Sequence, residues 1–194
     1  MDRIEPAADR VTVWTDAGRH DADHVVIAAG QGTSELAAQV GIETPSALAH
    51  QVQFTFGLRY REDQPPCWLD RSHNWQLGVT FYLYPHGDDR LTIGVEFGDG
   101  LPWDTGRDEA VAHSLETVRA YTRDLLPGVG HEVLETVHGT VIPGLGDGVH
   151  IGQNGPATAI WGNNLFMRAP AIGHTIADTL HDGATPGPIE TPPR

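Results

Sequence analysis

Residues 25–36 read VVIAAGQGTSEL. The first five are apolar without alternation, which is the pattern of a strand covered on both faces. Such a strand requires a layered fold with something packed on each side of a sheet. Gly30 and Gly32 then make a turn, and Thr33 or Ser34 caps a short helix. That helix carries Leu36, Ala37 and Val40 inward until Gly41 stops it. Strand, glycine turn and helix start is an arrangement that holds phosphates and dinucleotides. The usual G-x-G-x-x-G is nevertheless absent from this turn, because Gly32 is followed by Thr33, Ser34 and Glu35.

The flanking sequence supplies the rest of the architecture. RVTVWTDAGRHDADHVVIAAG reads as strand, turn, strand, with Val11 and Val13 alternating against Thr12 and Trp14 around Asp16-Ala17-Gly18. From His50 to Phe97 the pattern is β-rich. HQVQFTFGLRY alternates Val52, Phe54, Phe56 and Leu58, and GVTFYLYP and RLTIGVEF are joined through PHGDD as a hairpin. Residues 105–126 are helical, with Val111, Leu115, Val118 and Leu125 on one face and Pro127-Gly128 at the end. EVLETVHGTVIP is another strand, followed by a Gly-rich stretch. TAIWGNNLFMRAPAIGHTIADTLHDG reads as a strand, a loop and a helix from Pro170 with Ile172, Ile176 and Leu180 facing the core. The predicted organisation is one domain over 1–48 and 143–183, a second over 49–142 inserted into it, and a Pro-rich disordered tail at 184–194.

Composition narrows the function classes. Twelve Lys+Arg against 26 Asp+Glu gives a net charge of −14, which lacks the basic footprint of a nucleic-acid binder and repels anionic membranes. Cys67 is the only cysteine, so neither an internal disulfide nor a cysteine zinc site is expected. MDRIEPAADR has no apolar h-region, and no apolar run approaches the ~20 residues of a membrane span, so the expected location is cytoplasmic. Eleven His residues raise a metal reading, but His20 and His24 fall in a turn and strand, His174 and His181 lie two helical turns apart, and no H-E-x-x-H is present. GQGTSEL is the nearest approach to a G-x-S-x-G nucleophile elbow and places its serine wrongly.

Four stretches, in order, resemble the D-amino-acid-oxidase-like flavin family, nearest its sarcosine oxidase and N-methyl amino acid oxidase branch. They are VTVWTDAGRHDADHVVIAAGQGTSELAAQVGIETPSALAHQVQF, TFYLYPHGDDRLTIGVEFGDG, AVAHSLETVRAYTRDLLPGVG and WGNNLFMRAPAIGHTIADTLHDG. The resemblance implies an α+β (α/β) fold: a partial FAD-binding Rossmann-like domain carrying an inserted antiparallel-sheet substrate domain. It covers the C-terminal half to two-thirds of the family's length. The family's first strand, G-x-G-x-x-G, first helix and ribose-binding acid have no counterpart in the matched stretches, which implies a truncated, degenerate or split member. An edge of the central sheet beside VVIAAG is then bare, which predicts self-association of the chain.

The same resemblance assigns candidate residues. Ala29, Gly30 and Gln31 fall at the family's second cofactor-facing turn, and Gly162, Asn163, Asn164 and Phe166 in its Gly-rich loop under the flavin. The relatives' tethering Cys is replaced by Gly139 or Thr140, so any FAD is non-covalent. Their oxygen-activating Lys falls on Thr92, with Arg90 nearby, and a following His on Glu96; a Thr stabilises developing superoxide poorly. Their carboxylate-binding Lys falls on Met167, with Arg168 one place away. The implied catalytic set is Arg168, Glu96 and Thr92, with Tyr82, Tyr84 and Arg168 toward substrate and no metal. The implied activity is FAD-dependent oxidation of the C–N bond of a small amine or amino acid. The alternatives are a non-catalytic flavoprotein remnant that binds a small molecule or complements a separate chain, and, more remotely, a metal hydrolase.

Overall fold

The computed structural model describes residues 3–59, 66–72, 74–87, 89–146 and 148–182; the predicted tail falls outside them. In chain order the strands are β1 (Arg3–Pro6), β2 (Val11–Thr15), β3 (Gly18–Ala22) and β4 (Val25–Ile27), followed by a 3-10 turn (Gly30–Gly32) and helix α1 (Thr33–Gln39). Next come β5 (Ala49–Leu58), β6 (Trp68–Asp70), β7 (Val79–Pro85), β8 (Arg90–Phe97), a 3-10 turn (Trp103–Thr105), α2 (Arg107–Leu125) and β9 (Val129–Val141). The chain closes with β10 (Val149–Asn154), β11 (Ala157–Gly162), a 3-10 turn (Leu165–Arg168) and α3 (Ala169–His181). Two compact units result: Met1–Ala47 with Gly144–Arg194, and Leu48–Pro143.

The first unit contains the meander β1-β2-β3 and a mixed sheet ordered β10-β11-β4, in which β4 and β11 run parallel. The mixed sheet has a core on each face. Ala157, Ala159 and Ile27 pack with Ile4, Val11, Ala37 and Val40 on one side. Ile160 and Val149 pack with Ile172 and Ile176 of α3 on the other. The strand covered on both faces is therefore β11, whose Ala157, Thr158, Ala159 and Ile160 are all buried. The expectation for residues 25–29 was the same and is corrected: β4 is three residues long, lies at the sheet edge, and leaves Val26 42% exposed on the face shared with Thr158. An apolar run reports what a strand is able to bury, and the neighbours decide whether it does.

The capping expectation is also corrected. Gly32 is the N-cap of α1, with no side-chain cap bond, and Thr33 lies inside the first turn. Thr33 Oγ1 instead accepts the Ala29 N–H at 3.0 Å, tying the strand end to the helix start. Ala37 and Val40 are buried as expected, and Gly41 ends the helix at φ +70°.

The second unit is an antiparallel sheet ordered β6-β7-β8-β5-β9 with α2 against one face. Alternation decides the faces. Val52, Phe54 and Phe56, with Phe81, Leu83, Leu91, Ile93 and Val95, point toward Val118 and Tyr121 of α2. Phe81 stacks on Tyr121 with ring centroids 3.8 Å apart. Along α2 the buried positions are Ala110, Ser114, Thr117, Val118, Tyr121 and Thr122. Leu125, expected on that face, is 50% exposed. Val118 is buried and Val111 and Leu115 pack against the same core as expected; small and hydroxyl-bearing residues fill the rest of the inward stripe, which hydropathy alone does not mark. The short strands β1 and β6 and the strand β10 within the Gly-rich stretch carry weak patterns and were not expected.

Candidate functional site

Two regions hold the residues singled out by sequence, one in each unit. In the first unit the parallel register Val25↔Ala157, Val26↔Thr158, Ile27↔Ala159 brings the carboxyl ends of β4 and β11 out at the same edge. Ligands of open sheets sit beyond the carboxyl ends of parallel strands. Ala29, Gly30 and Gln31 follow β4 there; Gly162, Asn163 and Asn164 end β11 and lead into the 3-10 turn with Phe166 and Arg168.

Two of these positions require special backbone. Gly30 has φ +59°, and a Cβ built on it meets no atom within 4 Å, so open space lies beside a left-handed turn. Asn164 adopts φ 58° and starts the turn toward α3, a conformation that asparagine tolerates better than most residues. Gly162 serves a different need. A Cβ there would collide with the carbonyl oxygen of Gly148, so the close approach is to the protein's own backbone. After Asn164, Phe166 and Met167 are 77% and 63% exposed, and Arg168 occupies the N-cap position of α3. The exposed backbone at 28–31 and the exposed aromatic of Phe166 fit the flat face of a ring system. The sequence contains no G-x-G-x-x-G turn to cradle a pyrophosphate, so these residues fit a flavin dinucleotide in part.

In the second unit the face of the sheet opposite α2 is polar. Cross-strand pairing sets out two rows: Tyr82, Gly94, Gln53 and Val137, then Tyr84, Thr92, Thr55 and Glu135. Glu96 stands beside Thr80 on the same face. Tyr84 OH donates to Gln53 Oε1 at 2.6 Å. The buried hydroxyls of Thr55 and Thr92 bond each other at 2.9 Å, and Thr92 Oγ1 lies 3.5 Å from His86 Nδ1. The Tyr82 ring lies across Gly94, whose missing Cβ leaves the room. Its phenol oxygen is shielded from solvent and has no hydrogen-bond partner. Burial pushes the Tyr82 phenol far above its ordinary pKa, Gln53 opposes the rise, and the charge of Glu96 adds to it. Burial likewise raises Tyr84, against a lowering contribution from Thr92.

Tyr82, Tyr84, Thr92 and Glu96 thus share one face, as the period-two spacing of GVTFYLYP and RLTIGVEF requires. Gln53, Thr55 and Gly94 were missed. Their signal was present in HQVQFTFG and RLTIGVEF, where they interleave with the apolar positions, but only the register shows which residues of three strands meet. Gly139 pairs with Gln51 and Thr140 with His50 on β9, and Cys67 is an exposed thiol. His24, weighed as a metal ligand, places Nε2 2.9 Å from the buried Thr158 hydroxyl, and its burial lowers its pKa. His174 lies 3.6 Å from Asp178 on the exposed side of α3.

A parallel strand pair with special turns at its carboxyl ends thus stands in one chain with a sheet whose polar face carries Tyr82 and Tyr84. The model of the DAO family, FAD dependent oxidoreductase, matches residues 1–179, and the chain belongs to that family. Among solved structures it is similar to NikD, an unusual amino acid oxidase essential for nikkomycin biosynthesis, with a TM-score of 0.78 and 19% identity over 99% of this chain and 55% of that one. It is also similar to L-proline dehydrogenase from P. horikoshii (TM-score 0.70, 18% identity, 95% of this chain and 50% of that one). Iminodiacetate oxidase from Chelativorans sp. BNC1 matches with a TM-score of 0.68 and 19% identity over 98% of this chain and 50% of that one. The chain therefore spans about half the length of these structures. Comparison with curated proteins gives no match. No described helix is long and apolar enough to cross a membrane.

Proposed function

We propose that this chain is the substrate-facing portion, with part of the flavin-binding portion, of a cytoplasmic FAD-dependent oxidoreductase that acts on the C–N bond of a small amine or amino acid, in the manner of the sarcosine oxidases. The observation that carries the reading is the pairing of β4 with β11, which gathers Ala29, Gly30, Gln31, Asn163, Asn164 and Phe166 at the carboxyl edge of a parallel pair. These residues would hold the flavin ring end non-covalently, Cys67 lying outside the matched tether position. FAD, when bound, supplies the acceptor for a hydride from carbon. Tyr82 and Tyr84 offer a rigid aromatic surface to the substrate, and Arg168 is suited to bidentate contact with a carboxylate. By the family resemblance, Thr92 and Glu96 fall where the sarcosine oxidase branch carries a cation and an imidazole.

A second reading is favoured by the edge of β4. Val26 is 42% exposed and β4 pairs only with β11 among the described residues. An unpaired apolar strand edge is a site for a further strand, which suits a flavoprotein remnant that complements another chain or associates with itself. The visible spectrum of the purified chain, taken before and after excess FAD and gel filtration, separates the two. Retained bands near about 370 and 450 nm are expected if the chain holds the cofactor by itself. A colourless protein sinks the first reading for the isolated chain and leaves the second.

A further inference from the structure

The other end of the second unit's sheet carries a histidine pair outside the site above. His50 of β5 and His138 of β9 lie on the face that packs against α2, as the pairing Val52↔His138 requires. His50 Nδ1 is 2.8 Å from His138 Nε2, and His50 Nε2 is 3.1 Å from the carbonyl oxygen of Trp103. A carbonyl only accepts, so His50 carries its proton on Nε2. In the neutral pair His50 Nδ1 is then the acceptor, and His138 donates from Nε2. The His50 ring also stacks on Trp103 with centroids 4.6 Å apart.

This pair fastens one segment. The His50 N–H donates to the Leu101 carbonyl at 2.7 Å, the Trp103 N–H donates to the Leu48 carbonyl at 3.1 Å, and Ala49 bridges Pro102. Ala49 also pairs with Val141 of β9. The two crossings of the chain between its units, at 47–48 and 143–144, leave from this base of β5 and β9. The pair accepts one extra proton without breaking: a charged His50 donates from Nδ1 to a His138 that holds its own proton on Nδ1. A second proton leaves two donors facing each other and no acceptor.

We propose that His50 and His138 form a proton-sensitive latch that holds residues 99–105 on the shared base of β5 and β9, closed with at most one extra proton and open when both imidazoles are charged. The surroundings favour the neutral pair. His50 is buried. Burial, then the charge of His50, then that of Arg107 at the start of α2, hold His138 below its ordinary pKa. Asp99 and Asp104 on the held segment are exposed, and neither imidazole forms an ion pair with a carboxylate among the described residues, so no anion offsets a second charge. A histidine whose folded pKa is depressed contributes stability above its unfolded value, about 6.5, and loses it as pH falls below that value.

Amide hydrogen exchange of the full chain between pH 8 and 5.5, corrected for intrinsic rates and referenced to Ile93 in β8, tests the latch. Protection at His50 and Trp103 should fall about fivefold between pH 6.5 and 5.5 for each proton taken up on opening, given the unfolded pKa of about 6.5. The double variant His50→Gln, His138→Gln should lose that pH dependence, since a side-chain amide both donates and accepts at any pH. A wild-type chain whose protection at these two amides follows Ile93 at every pH overturns the proposal, as does a double variant that keeps the wild-type pH dependence. Should the variant fail to fold, nitrogen resonances of the wild-type imidazoles decide. Coupled titration of the two rings, with His138 below its ordinary range and the neutral His50 in the Nε2–H form, supports the latch; two independent titrations refute it.

Discussion

The Tyr82 ring occupies the place where any side chain at position 94 would begin, so Gly94→Ala is a sharp perturbation of the candidate substrate face. A Cβ on Gly94 would clash with Cζ, Cε2 and the hydroxyl of Tyr82 across the β7–β8 pair. The ring must leave the strand, and overpacking of this kind costs about 1–3 kcal/mol. With Tyr82→Ala as background the obstruction is gone. Alanine is then the better strand residue, because glycine in a strand interior is worse than alanine by about 0.5–1 kcal/mol. The same substitution is therefore expected to destabilise the wild-type chain and stabilise the Tyr82→Ala chain, a coupling of about 1.5–4 kcal/mol in a double-mutant cycle. Urea unfolding of the four proteins, followed by far-ultraviolet circular dichroism, measures it. Equal effects of Gly94→Ala in the two backgrounds would refute the claim that Gly94 exists to seat the Tyr82 ring. They would also remove the reason for placing the Tyr82 phenol at a fixed point on this face.

The second unit should also show alkaline sensitivity traceable to one residue. Tyr121 OH donates to Asp70 Oδ2 at 3.0 Å, and burial, followed by that bond to Asp70, raises its pKa to about 12. Its stabilisation is therefore complete below the unfolded pKa of about 10 and lost as pH rises from there toward 12. Tyr121→Phe should flatten that part of the curve of stability against pH, measured by urea unfolding, and an unchanged slope would count against the assignment. In the first unit, Asn164→Val forces a β-branched residue into φ 58° and should cost about 1–3 kcal/mol more than Asn164→Gly, which relieves the backbone. A tolerated valine in thermal unfolding would show that the left-handed turn before α3 is not required.

The sequence by itself determined the parts that rest on local chemistry. The alternation of Val52, Phe54 and Phe56 and of GVTFYLYP and RLTIGVEF dictates a half-buried antiparallel sheet, because a strand of period two has one face to bury. The spacing of Ile172 and Ile176 did the same for α3, and Gly41 and Pro127-Gly128 set helix ends through backbone geometry. The ordered match of four segments pointed to the flavin family because those segments keep the same succession of strands and helices. Tertiary structure decided what depends on neighbours far along the chain. It made β11 rather than β4 the strand covered on both faces, because burial of an apolar run requires a partner layer that the run itself does not encode. It turned Leu125 outward and set small residues in the buried stripe of α2 above Phe54 and Phe56 of β5 and Phe81 of β7, which fill much of that space. It set Gln53 and Thr55 beside Tyr84 and Thr92, assigned Gly162 to the carbonyl of Gly148, and joined His50 to His138, 88 residues away. Each of these is a matter of register between strands, and register is settled only when the whole sheet is assembled.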